Sequence, residues 1–262
     1  MWKELSVATT VRTPAQGSET RIGKGVEPIR AGQGTSFLLR RLHSLSGIIP
    51  VGAFLVEHYV SNAFATNGPV AYSDQVKFLS GLPFRLWLEI FGIYIPILFH
   101  GLYGLYIWWR GESNVSQYPW TGNWMYTLQR WTGIIAFAYI LYHTWEMRFT
   151  GVDLVHHNDA AFFKVQYELR QALDLGAYVI GVLASSWHFG YGIFLFCAKW
   201  GIVTGERARK RMQWAGVAIS LLFIVVGLAT IKAFIRPNPE WQQLNIQQWQ
   251  GADPPKLDHT KK

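Results

Sequence analysis

Four histidines pose the chemical question. His58, His100, His143 and His188 each lie within a long apolar stretch, as in RRLHSLSGIIPVGAFLVEHYV over residues 40–60. An ionisable side chain in such surroundings is costly and is kept for a task. Neutral imidazole can ligate a metal, relay protons or hold a structural hydrogen bond. A single buried histidine favours the last two. Four of them, on four separate segments, call for an account of their relative depth.

Composition places those segments in a membrane. Of 262 residues, 50% are hydrophobic, 16% aromatic and only 15% charged, against about 25% charged in soluble domains. The net charge is +8. Nucleic acid is not the implied partner, because the basic residues sit in tails and loops between apolar runs, where cationic flanks of membrane helices belong. Cys197 is the one cysteine. An internal disulfide is therefore excluded, as is a cluster held by four thiolates.

Apolar runs predict five helices, over 38–62, 85–109, 127–148, 175–199 and 213–235. Each is about 20 residues or longer, enough for a ~30 Å hydrocarbon core. The third is the least apolar, because it carries Gln129, Arg130, Thr132 and His143. Turn chemistry separates them: TNGP at 66–69, SGLP at 80–83, RGESN at 110–114 and HHND at 156–159. The expected organisation is a polar, basic N-terminal tail (1–36), a five-helix membrane domain (37–236) and a polar C-terminal tail (237–262). Trp241 and Trp249 would be interfacial anchors. The first tail has no apolar core followed by a cleavage site, so no cleaved leader is expected.

Lys and Arg placement sets orientation. Seven precede residue 42 and five lie in 199–211, whereas 63–84 holds only Lys77 and 149–174 only Lys164 and Arg170. The N-terminus is thus expected on the cytoplasmic side and the C-terminus outside. His58 and His143 then fall late on outward-running helices, in the outer half. His100 and His188 fall at or past the middle of inward-running ones. Two pairs result, at two depths.

Opposed imidazoles on separate helices suit a six-coordinate b-type haem, whose potential follows from ligands, burial and hydrogen bonds. A zinc site would need its ligands to converge on one centre. His43 and His58 on one helix differ by about 60° in facing, a poor match for stacked ligands. Gly47, Gly101, Gly104, Gly133, Gly181, Gly190 and Gly192 lie within the apolar segments. They would admit either a flat macrocycle or close helix packing. His156, His157 and His259 are expected to be solvated.

RRLHSLSGIIPVGAFLVEHYV, LPFRLWLEIFGIYIPILFHGLYGLYI, NWMYTLQRWTGIIAFAYILYHTWEMR and YVIGVLASSWHFGYGIFLF together resemble the di-haem cytochrome b anchor of succinate dehydrogenases and quinol:fumarate reductases, in its five-helix, single-subunit form. The resemblance covers about residues 36–235. It implies an all-α membrane protein whose first four helices bind two b haems. His58 and His143 would ligate the outer haem, and His100 and His188 the inner one.

It also implies a flavoprotein subunit carrying FAD and an iron–sulfur subunit, both docked at the cytoplasmic face of a bacterial inner membrane. Neither chemistry can lie in this chain, which has no dinucleotide-binding glycine loop and too few cysteines for clusters. Quinone, by resemblance menaquinone, would accept or donate electrons. Lys199, Arg130, Ser44 and His43 are candidates to meet the inner haem's propionates, or are ordinary positive-inside residues. Glu57, Glu89 and Glu146, with Asp74 beyond them, are candidates for proton relay to quinone. Glu146 is equally suited to an ion pair with Arg148. Two other readings remain. One is the di-haem subunit of another dehydrogenase, of formate dehydrogenase or hydrogenase type. The other is a haem-free proton-coupled transporter, which would call for inverted repeats or broken helices.

Overall fold

The structure, a computed structural model, describes residues 33–111, 115–236, 257 and 259. Both tails, with Trp241 and Trp249, and residues 112–114 of the RGESN turn therefore fall outside the described residues, apart from 33–36, 257 and 259. The chain divides into two compact units, Met1–Leu38 and Leu39–Lys262. Of the first, the described residues include only the opening of a helix. The second carries everything that follows.

Among the described residues every regular element is a helix and there is no strand. The first rod is α1 (Gln33–Ile48) followed by α2 (Pro50–Ala63). Pro50 has no N–H to donate, so the ladder is interrupted there. It holds up to Ile49 N→Leu45 O (2.9 Å) and resumes with Ala53 N→Ile49 O (3.2 Å). Next come α3 (Pro69–Ser80) and the second rod, which joins α4 (Arg85–Trp87), a π-turn over Leu88–Tyr94 and α5 (Ile95–Arg110). Pro96 explains the π-turn: a missing donor leaves an upstream carbonyl unpaired, and the ladder widens around it. The third rod is α6 (Thr121–Thr144), which ends in a second π-turn over Trp145–Phe149. After α7 (Ala161–Glu168) come the fourth and fifth rods, α8 (Ala172–Lys199) and α9 (Glu206–Ile235).

Four segments are long and apolar enough to cross a membrane: Ser36–Asn67, Arg85–Arg110, Ala172–Lys199 and Glu206–Ile235. The third rod matches them in length but not in apolarity, for the polar residues already named. Large side chains such as Leu102, Ile180, Leu222 and Val225 are exposed along these spans. In water so much apolar surface would drive association; in lipid it is the correct outer face.

Two connections expected as loops are helices. α3 and α7 fold over the end of the bundle formed by the C-termini of α2, α6 and α9 and the N-terminus of α8, which we call the cap end. Phe162, Phe163 and Leu169 are fully buried there with Tyr72, Tyr178, Ile231 and Phe234. The apolar residues of AFFKVQYEL belong to this core, although the segment is too short to register as a span.

α9 packs on α8 through residues without bulk. A Cβ on Gly190 would lie 2.6 Å from the Gly216 carbonyl oxygen, and one on Gly216 would lie 2.7 Å from that of Gly190. Gly190 thus serves close helix approach, and Gly181 makes room for the Tyr139 ring. Gly176, near the start of α8, meets nothing within 4 Å. Gly190→Ala should therefore lower the thermal midpoint in detergent, by overpacking worth about 1–3 kcal/mol. Gly176→Ala should hold or raise it, since alanine favours a helix interior by roughly 0.8–1.0 kcal/mol over glycine.

Candidate functional site

The histidines come together in two pairs. Near the N-terminal end of the bundle, His100 of α5 faces His188 of α8, with ring centres 6.2 Å apart and planes at 77°. Toward the cap, His58 of α2 faces His143 of α6 at 5.7 Å and 75°.

One local device builds both halves of the first pair. His100 donates Nδ1–H to the His43 carbonyl (2.9 Å), and His188 donates Nδ1–H to the Gln129 carbonyl (3.0 Å). A carbonyl can only accept, so each bond fixes the tautomer and leaves Nε2 as a free lone pair, the usual arrangement of a ligating histidine. Side chains on a helix lean toward its N-terminus, so the residue four positions later covers a given carbonyl. Those residues are Gly47 and Gly133. A Cβ on Gly47 would overlap the His100 ring, and one on Gly133 would lie 2.6 Å from His188 Cε1. The sequence reading left these glycines open to a macrocycle or to helix packing; the structure gives them to imidazoles. Gln129 completes its clamp by donating Nε2–H to the His188 carbonyl (2.9 Å).

Both rings line a cavity of about 380 Å³. Its walls are mostly apolar, and Arg40, Arg130 and Lys199 line it as cations, with Ser44 beside them. Two of these cations, Lys199 and Arg130, are held by backbone carbonyls. Lys199 Nζ donates to Arg40 O (2.7 Å), and Arg130 donates to Trp108 O and to Gly111 O (3.0 Å), which closes the C-terminus of α5. The Arg130 Nε is buried without a partner. His43 does something the sequence did not suggest: its ring stacks on His100 at 4.2 Å and 7°.

The cap-side pair is anchored differently. His143 Nδ1 lies 3.2 Å from the Tyr178 hydroxyl, which donates to Glu168 Oε2 (3.4 Å). The carboxylates singled out in the sequence lie at the same end. Ser61 donates to Glu57 and itself accepts from Gln75 (2.9 Å). Glu89 is bridged by Arg85 (2.7 Å) and Arg148 (3.2 Å), so Arg148 pairs with Glu89. Glu146 accepts instead from Thr150 (3.1 Å). His259, expected to be solvated, sits between Asp74 (2.9 Å) and Asp159 (3.1 Å). His156 does pair with an exposed loop carboxylate, Asp153 (2.6 Å).

No protein-family model matches the chain. The succinate dehydrogenase cytochrome b558 subunit of Bacillus subtilis (strain 168) is 39% identical to it over 199 residues, which is 76% of this chain and 97% of that protein. The chain belongs to the succinate dehydrogenase cytochrome b558 subunit family. With its four apolar spans, this member of the family is a multi-pass membrane protein.

Glu168 is the residue that sequence reasoning missed. Its surroundings were read as a loop, yet α7 buries it. Burial pushes its carboxyl up to about 7, with Glu146 and Asp174 adding to the rise and Lys164 and the Tyr178 hydrogen bond opposing it. A folded value above the ordinary carboxylate value means that folding favours the protonated form. The stability Glu168 contributes is full below about 4.5 and is lost as pH rises through about 7. Thermal midpoints measured from pH 5 to 8 should show the wild-type protein losing ground to Glu168→Gln as pH increases; parallel profiles would contradict this.

Proposed function

We propose that this protein is the membrane anchor and electron-transfer subunit of a succinate:quinone oxidoreductase, and that it holds two b haems, one between each histidine pair. The observation that carries the proposal is the pairing with its spacing. Metal–imidazole bonds of about 2 Å on either side put ring centres ~6 Å apart, and both pairs meet that spacing. Further support comes from the Nδ1–H bonds, which leave Nε2 available on His100 and His188. When bound, each haem supplies a one-electron redox centre.

The chain's own residues supply the rest. His100 and His188 ligate the centre nearer the N-terminus, and His58 and His143 the one nearer the cap. Lys199, Arg130, Ser44 and His43 meet the acidic edge of the first group, since cations and a hydroxyl lie at one end of an otherwise apolar cavity. The N-terminal side is cytoplasmic, and the flavoprotein and iron–sulfur subunits dock there. Quinone, of the menaquinone type, binds toward the cap. Glu57, Glu89 and Glu146 are the carboxylates at that end suited to handling its protons, with Glu57 the least encumbered by cations.

The test is haem content, ligand by ligand. In the purified complex, His100→Ala and His188→Ala should lose the same b haem, and His58→Ala and His143→Ala the other, as read by redox-resolved pyridine haemochrome spectra. Gly133→Val should lose the haem that His188→Ala loses, although every histidine is still present. Two low-spin haems surviving in any of the histidine variants would overturn the assignment of that ligand.

A further inference from the structure

The two histidine pairs differ in what holds them. His100 and His188 donate to backbone carbonyls, which cannot change charge. His143 donates into a chain that ends on a carboxyl group. Tyr178 spends its proton on Glu168 Oε2 (3.4 Å), so its oxygen is left to accept from His143 Nδ1 (3.2 Å). All donors in this chain point one way, from the imidazole toward the carboxyl. Tyr178 and Glu168 are both buried, and low polarity strengthens such a chain. A partner at the second nitrogen of a ligating imidazole tunes how strongly the first nitrogen donates to the metal.

We infer that Glu168 is a positioning residue that makes the redox potential of the cap-side centre depend on pH, acting through Tyr178 on His143; His100 and His188, held by backbone carbonyls, have no such chain behind them. The inference rests on the proposed haem ligation. With Glu168 ionised, the chain draws the Nδ1 proton toward Tyr178, His143 becomes a stronger donor, and ferric iron is favoured. With Glu168 protonated, that pull is gone and ferrous iron is favoured. One electron passed to ferric iron from the iron–sulfur partner or from reduced quinone would thus be matched by up to one proton taken from solvent onto a Glu168 oxygen, the full proton only where Glu168 is ionised before reduction and protonated after it. Reoxidation releases both.

The surroundings of Glu168 suit a group that titrates under working conditions. Lys164 faces it from its own helix, Glu146 from the π-turn after α6, and Asp174 and Tyr178 from α8; Tyr139 and Tyr142 of α6 also sense its charge. The sole cation in this set, Lys164, is already engaged with the carbonyls of Thr150 (2.6 Å) and Met147 (3.2 Å). Asp174 is engaged with the Tyr142 hydroxyl (2.6 Å). Burial pushes the Glu168 carboxyl up to about 7, so both of its states are reachable near neutral pH.

Midpoint potentials of both haems in the purified complex, measured at pH 6, 7 and 8, test the inference. In the wild type, the haem lost in His143→Ala should show a midpoint that falls as pH rises, and Glu168→Gln should leave the profile of the other haem unchanged. Glu168→Gln and Tyr178→Phe should each abolish the slope while both haems remain. A slope that persists in Glu168→Gln, or two flat profiles in the wild type, would overturn the inference. Absence of haem from the wild type would instead overturn the ligation it rests on. Should either variant fail to assemble, reduced-minus-oxidised infrared spectra of wild-type complex labelled with 13C-glutamate decide the matter. A protonated carboxyl band that grows on reduction and shifts with the label is expected, and it should persist in Glu57→Gln, Glu89→Gln and Glu146→Gln; no such band, or its loss in one of those three variants, would sink the proposal.

Discussion

The bond from an imidazole Nδ1–H to a neighbouring helix's carbonyl is the constraint around which the rest of the bundle is arranged. A helix carbonyl is normally covered by the side chain four residues later. For a ring to reach it, that side chain must be absent, which is why Gly47 follows His43 by one turn and Gly133 follows Gln129 by one turn. The same two glycines let the first rod approach the second, and the third approach the fourth, closely enough for His100 and His188 to face each other. One substitution at either glycine changes ring position, helix spacing and ligand tautomer together.

The irregularities of the rods and the cap belong to the same economy. Pro50 interrupts the first rod three residues beyond Gly47, and Pro96 sits one turn before His100. Pro96 loosens the ladder beside the segment that carries His100, and Pro50 the ladder beside the segment that supplies its acceptor, the His43 carbonyl. The other end is closed by α3 and α7, and the buried phenylalanines of α7 pack there with Tyr178 of α8, whose hydroxyl meets His143. That closure brings a carboxyl group, Glu168, into contact with Tyr178. The two ends therefore surround chemically similar histidine pairs with different partners: backbone carbonyls behind His100 and His188, and a tyrosine hydroxyl leading to a carboxyl group behind His143.

Much of this was legible in the sequence. Apolar runs located all five rods to within a few residues at most ends. Depth alone sorted His58 with His143 and His100 with His188, and the structure brings those same rings within 6.2 Å of each other. α9 begins before residue 213 because ERARKR is polar yet helix-favouring, so hydropathy missed its first two turns. The cap was missed for a related reason: α3 and α7 are short and carry charges, and their buried faces are defined only by what they pack against. The stack of His43 on His100 and the burial of Glu168 depend on contacts across the bundle, which no local pattern encodes.

The central claim is that each facing pair of imidazoles holds one b haem. It is tested most directly by haem stoichiometry in the wild-type complex purified from membranes, with pyridine haemochrome absorbance set against quantified polypeptide. The account predicts two b haems per copy of this chain, co-purifying with a flavoprotein and an iron–sulfur protein. One haem per chain would leave one pair without its proposed role, and none would contradict the account of both.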